Sequence, residues 1–180
     1  MKKQQCTEAF AKWLNKTQTL LDQFRTIGFG YPVGENYIRP TSCLGTIHDT
    51  LRDSGITNLD AIASFYEVCN GLHWPGVQNS YFVYEIERLL HPIDPETPRR
   101  IVGLPERNIH VVGSNGGGML FAIDDLEGSI LLLPHALVED LTYFGNDAVE
   151  IAPDFLSFAN LLLSDLTAFV NCDVSHAYIA

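Results

Sequence analysis

Residues 113–118, Gly-Ser-Asn-Gly-Gly-Gly, have the composition of a phosphate-cradling loop. Such a loop ends in Gly-Lys-Ser/Thr, so that a lysine and a hydroxyl reach the phosphates and their magnesium. Here Met119 and Leu120 follow instead, and no Lys or Arg occurs after Arg107. A phosphate bound there would have no cation close in sequence, so the run reads as a tight β-turn. Asp124, Asp125 and Glu127 present oxygens, but a calcium loop needs ligands at a longer regular spacing with a glutamate at its end. This cluster stops at Gly128 and reads as a charged hairpin tip.

The six histidines are His48, His73, His91, His110, His135 and His176. None stands in the H-x-x-x-H or H-E-x-x-H spacing that places two imidazoles on one zinc ion. His110 starts a strand and His135 follows a proline, which suits structural or solvated roles. No Gly-x-Ser-x-Gly elbow occurs, and Gly113-Ser114 lacks that pattern. Cys6, Cys43, Cys69 and Cys172 are scattered without C-x-x-C spacing, which predicts reduced, mostly buried thiols rather than disulfides. Cys69 falls on the apolar face of a helix, where a thiol is inert. The expectation is a chain with no catalytic residues, no metal and no cofactor. Trp74, in Leu72-His73-Trp74-Pro75-Gly76-Val77, follows a helix stop and has two readings. It plugs the edge of the core, or it presents an aromatic anchor to a partner.

The elements that must position these residues have clear periods. Phe10, Trp13, Leu14, Leu20, Leu21 and Phe24 draw one helical face, with Thr7 as the expected N-cap and Gly28 as the stop. Residues 28–40 are rich in Gly and Pro and read as a connecting loop. Residues 1–40 therefore form an N-terminal helix with its linker, docked on a main body of residues 41–180. A short helix follows, capped by Thr41 or Ser42, with Leu44, Ile47 and Leu51 on its face and Gly55 at its end. Thr57 and Asp60 make a capping-box-like pair for the next helix, whose face is Leu59, Ile62, Ala63, Tyr66 and Cys69. Asn70-Gly71 is expected to terminate it.

Beyond this point the period changes to that of strands. Tyr81 to Tyr84 is aromatic and β-branched, and Ile86 to Leu90 is one helical turn. Residues 91–100, with Pro92, Pro95 and Pro98, form a surface loop. Ile109–Val112, Met119–Ile123 and Ser129–Leu133 are strands joined by two hairpin-length links. Sequential hairpins predict an α+β fold with an antiparallel meander sheet. The last helix carries Phe155, Phe158, Ala159, Leu162, Leu166, Phe169 and Val170, with Pro153 in its first turn and Asp154 complementing its dipole. It is expected to pack across the sheet.

The 180 residues carry 22 acids and 11 Lys plus Arg, a net charge of −11. Residues 1–30 have net charge +3, residues 31–107 have −4, and residues 108–180 have ten acids with no Lys or Arg. That field repels nucleic acid and anionic membranes and favours a basic partner, although acidity also serves solubility alone. The basic start Met1-Lys2-Lys3 is followed by Gln4-Gln5-Cys6-Thr7-Glu8 where a secretory signal has its apolar core. The longest apolar run, Met119 to Ile123, is far short of a membrane span. A cytoplasmic protein is expected.

The order Ile47…Leu51…Gly55-Ile56…Leu59…Phe65-Tyr66…Asn70-Gly71 resembles the opening of the SUKH superfamily, which includes fungal cell-wall-assembly regulators and many bacterial immunity proteins. Tyr81–Leu90 is similar to its strand and following turn, and Val111 to Gly118 to its strand-then-glycine signature. Ile123-Asp124-Asp125 with Gly128 resembles its next hairpin, and Pro153–Leu163 its terminal helix. The likeness spans residues 42–172. It implies a non-catalytic α+β domain, and its bacterial members commonly neutralise a neighbouring toxin, often a nuclease, by binding it. The alternative expectation is a regulatory or scaffolding module of the same fold that binds a cellular protein. An acidic inhibitor would be steered to the basic surface of a nuclease. Asp124, Asp125, Glu127, Glu139 and Asp140 lie near strand ends and are the expected acidic binding surface, with solvated decoration as the competing account. An unrecognised hydrolase would need convergent carboxylates in a cleft.

Overall fold

The computed structural model describes residues 3–28, 35–41, 47–54, 56, 59–91, 93–102 and 107–179. The capping and loop expectations at Gly30, Pro32, Gly34, Ser42, Leu44, Gly55, Thr57 and Pro92 lie outside these residues, as does Cys43.

Helix α1 (Lys3–Phe24) is followed by strand β1 (Tyr37–Pro40), helix α2 (Ile47–Asp53), helix α3 (Leu59–Val68) and strands β2 (Cys69–Trp74) and β3 (Tyr81–Val83). A short helix α4 (Ile86–Leu90) precedes β4 (Arg100–Ile101), β5 (Arg107–Asn115), β6 (Leu120–Asp124) and β7 (Ile130–Leu133). Then come β8 (Val138–Glu139), β9 (Thr142–Tyr143), β10 (Val149–Ala152) and helix α5 (Phe155–Val170). The fold is α+β. One path through the ten-stranded sheet runs β1-β2-β3-β5-β4-β9-β8, and a branch leaves β5 through β6 and β7 to β10. All pairs are antiparallel except β4 with β9. The expected meander is β5-β6-β7, with Ala122 facing both Val111 and Leu131.

Helices α1, α3 and α5 cover one face of the sheet. Phe10, Trp13 and Phe24 from α1 join Phe65 from α3, Phe158 from α5 and Phe121 from β6 in one buried cluster. The Phe121 and Phe158 rings lie 5.1 Å apart, which seats α5 on the sheet as its apolar stripe predicts. Trp13 Nε1 donates to the Ala159 carbonyl at 2.7 Å, fixing α1 against α5. A smaller core of Ile101, Ile109, Val111, Ala122, Leu131, Leu133 and Tyr143 fills the opposite face. Alternate residues of β5 and β6 thus feed two cores, as the two-residue period of a strand requires. No helix among the described residues is long and apolar enough to cross a membrane.

Several expectations are corrected. Thr7 lies inside α1, which begins at Lys3; its hydroxyl instead donates to Ser64 Oγ on α3 at 3.3 Å. The expected loop over residues 28–40 contains β1, an edge strand, where Pro40 is tolerated because one side of the strand needs no donor. Asn70-Gly71 does not end a helix: α3 stops at Val68, and both residues lie in β2. Gly71 has φ +91° at a register shift, and a Cβ there would sit 2.4 Å from the Val83 carbonyl. The glycine serves a bulge and a close strand approach. Arg100 and Ile101, the former placed in the surface loop, pair with β5 and β9. Pro153 precedes α5, and Asp154 is its N-cap, accepting the Ser157 N–H at 2.7 Å.

Candidate functional site

The acids singled out in the sequence divide into buried and exposed groups. Asp124 ends β6 and is fully buried. Its Oδ1 accepts the N–H groups of Leu126 and Glu127 at 2.9 and 3.1 Å, and its Oδ2 accepts Arg107 at 2.7 Å. It is therefore the clamp of the β6–β7 turn and has no surface to offer a partner. Asp125 pairs with His110 Nε2 at 2.9 Å and is largely buried. Glu127, Glu139 and Asp140 are exposed. Trp74 is fully buried, so it fills the core and cannot be an anchor at the surface.

The sheet brings the exposed acids to one end. Arg100 is in register with both Asn108 and Thr142, and Thr142 with Glu139; the Asp125 N–H donates to the Asn108 carbonyl. Asp125, Asn108, Arg100, Thr142 and Glu139 thus form a cross-strand row. The row also carries cations that the linear sequence kept apart from the acids. Arg107 neutralises Asp124, and Arg100 donates to the Asp140 carbonyl at 3.1 Å. The acidic C-terminal stretch is consequently a mixed surface at its centre, with Glu127, Glu139 and Asp140 among its exposed carboxylates.

Strands β8 and β9 meet in a tight turn whose Asp140 and Leu141 have φ +48° and +60°. Such turns usually carry Asn-Gly, because a β-carbon crowds the carbonyl there. The adjacent segment at β4 holds the turn in place: the N–H groups of Arg99 and Arg100 both donate to the Leu141 carbonyl, at 2.8 and 3.1 Å. Beside this turn stand apolar side chains that the core does not take. Leu137 and Phe144 are 65% and 45% exposed, and Leu126 at the β6–β7 tip is 73% exposed. The Phe144 N–H donates to the Leu137 carbonyl at 2.9 Å, so these two residues are neighbours across the hairpin base. Sequence reasoning marked Glu139 and Asp140 but missed Leu137 and Phe144. The signal was the apolar pair flanking an acidic turn that lacks glycine.

Catalytic groups fare differently. Among the described residues no group of three or more His, Cys, Asp or Glu could hold a metal ion. The His110–Asp125 pair borders a cleft of about 330 Å³ lined also by Asp53, Ser54, His91 and Arg99. A serine nucleophile there would need its hydroxyl on the imidazole. The Ser54 hydroxyl instead donates to the Leu51 carbonyl at 2.6 Å, closing the end of α2. Burial pushes the Cys69 thiol up to about 12, with the Gly71 backbone as a smaller opposing influence. Its thiolate fraction at pH 8 is about a thousandfold below that of an ordinary thiol. Peptide mapping after iodoacetamide treatment of the native protein should find exposed Cys172 alkylated and Cys69 unmodified. Prompt alkylation of Cys69 before unfolding would contradict its burial.

The fold and this surface define an α+β domain with a mixed acidic and apolar face at one end of its sheet. No protein-family model matches the chain, and no curated protein matches it.

Proposed function

We propose that this chain is a non-catalytic protein-binding domain that takes a basic partner, and that it acts as an immunity protein neutralising a toxin domain of the nuclease class. The observation that supports this reading most is the exposed Leu137–Phe144 pair beside the exposed carboxylates of Glu139 and Asp140, next to which the sheet sets Arg100. Apolar anchors within a charged rim are the arrangement that recognises a protein surface, and one sign of charge selects the opposite sign. The resemblance to the SUKH superfamily supplies the toxin-neutralising role; the acidic face fits a nuclease, which must be basic to hold phosphates.

The test is protection of cells that express the product of the adjacent toxin gene, with affinity measured in parallel by calorimetry. Phe144→Ser should weaken binding about thirtyfold, the effect of losing one interfacial anchor. Glu139→Lys should slow association and flatten its salt dependence. Unaltered protection and affinity in both variants would remove this surface from the interface. Killing that proceeds equally with the protein present would overturn the toxin reading. Recovery of a cellular housekeeping protein on the same surface would make the chain a regulatory or scaffolding module.

A further inference from the structure

Away from the acidic end, the sheet carries a row of rings. Tyr37, His73, Phe82 and Ser114 are successive cross-strand partners on β1, β2, β3 and β5, and all four are half-buried. Cross-strand partners share a face, so the row is continuous. The Tyr37 and His73 rings stack at 5.1 Å, and His73 lies 4.9 Å from Phe82. These rings belong to neither core.

A cleft of about 240 Å³ opens over them, lined by His73, Phe82, Tyr84, Arg88, Ser114 and the Arg39–Glu85 pair. The two arginines differ. Arg39 forms an ion pair with Glu85, its Nε 2.9 Å from Oε1. Arg88 has its guanidinium 3.6 Å from the centre of the Tyr84 ring and no carboxylate partner among the described residues. Stacking fixes the plane of a guanidinium and leaves its N–H edge free to hold an oxyanion through two hydrogen bonds. The Ser114 hydroxyl in the same cleft is a further donor. An arginine held ready in this way, in a chain of net charge −11, marks one place where a negative group is attracted.

We propose that this cleft binds a small aromatic carboxylate, with its ring against Phe82 and His73 and its carboxylate on Arg88 and Ser114. The volume sets the size: drug-sized ligands occupy roughly 300–1,000 Å³, so this cleft takes a single ring with a short acidic arm. That chemistry has two sources, a free aromatic acid or the carboxyl-terminal phenylalanine of a peptide. The site is independent of the acidic face proposed above to bind a basic protein.

Titration of the full chain by ¹⁵N–¹H NMR distinguishes the requirements. Phenylacetate should give saturable shifts at Phe82, Tyr84 and Arg88, while phenylacetamide and acetate bind at least tenfold more weakly. A tripeptide ending in phenylalanine should share the site; tighter binding than phenylacetate, lost in its amide, assigns the peptide source, and the reverse order assigns the free acid. Arg88→Gln should lose at least tenfold in affinity, and Arg88→Lys less, because it keeps the charge without the fork. Ser114→Ala, whose smaller loss is expected to be about threefold, tests the site without touching Arg88. No saturable shift with either acid would overturn the proposal. So would acetate binding as tightly as phenylacetate, or unchanged affinity in folded Arg88→Gln.

Discussion

Replacing Phe65 by alanine should lower the free energy of unfolding by about 4 kcal/mol, the upper range for emptying a buried aromatic site. Phe65 lies on α3 at 1% exposure, and its ring is the meeting point of three helices. Its centroid is 5.6 Å from Phe10 and 5.9 Å from Trp13 on α1, and 4.9 Å from Phe155 on α5. Removing the ring leaves each of these without a partner on one side, and rigid helix backbones cannot collapse into the space. The loss falls on the seat of α1 as well as on the core beneath it. Urea unfolding followed by tryptophan fluorescence checks the figure, with Trp13 reporting on α1 and Trp74 on the sheet. A loss below about 1.5 kcal/mol would mean that the three helices do not share this contact.

Asp165→Ala should cost about 3 kcal/mol, the effect of breaking a buried hydrogen-bonded carboxylate rather than losing surface charge. Asp165 is 2% exposed on α5. Its Oδ2 accepts the Tyr81 hydroxyl at 2.5 Å and the Ile179 N–H at 3.1 Å, and its Oδ1 accepts His176 Nε2 at 2.8 Å. One carboxylate thus ties strand β3, helix α5 and the segment after α5 together. Alanine leaves the fully buried Tyr81 hydroxyl without its acceptor and releases the Ile179 N–H. For a chain of this size the melting temperature should fall by roughly 6–12 °C. Hydrogen exchange at Ile179 should rise toward the rate of free chain, whereas Tyr81→Phe, which removes donor and demand together, should cost about 1 kcal/mol. A melting temperature within 2 °C of the parent for Asp165→Ala would show that the network contributes no stability.

Asp165 also shows why some of the structure was legible and some was not. The α5 period, Phe155, Phe158, Leu162 and Leu166, predicted a buried face correctly, because each residue's burial follows from its angle around one helix. The carboxylate lodged next to that stripe has partners at Tyr81 and Ile179, which no local window contains. The longest strand, β5, and its neighbours β6 and β7 were legible for the same reason as α5: apolar runs bounded by turn residues. Strands β4, β8 and β9 have two residues each, too few to display an alternation. They exist because β5 and the second core supply their partners. The helix stop expected at Asn70-Gly71 failed because the same left-handed freedom that ends a helix also serves a bulge.

The candidate surface follows the same division. The sequence by itself determined the α+β class, the two long amphipathic helices, the central meander and the separation of basic and acidic segments along the chain. Only the tertiary structure decided what that charge separation means. Pairing of β4 and β5 with their neighbours sets Arg100 and Arg107 among acids that lie well beyond them in sequence, so Asp124 becomes a buried clamp while Glu127 and Glu139 remain open. It also placed Trp74 in the core, left Phe144 at the surface and stacked Arg88 on Tyr84. Periodicity along one element is a local property of the chain. Neutralisation, burial and stacking depend on which distant strands lie side by side, and those pairings are fixed by packing two cores at once on opposite faces of one sheet.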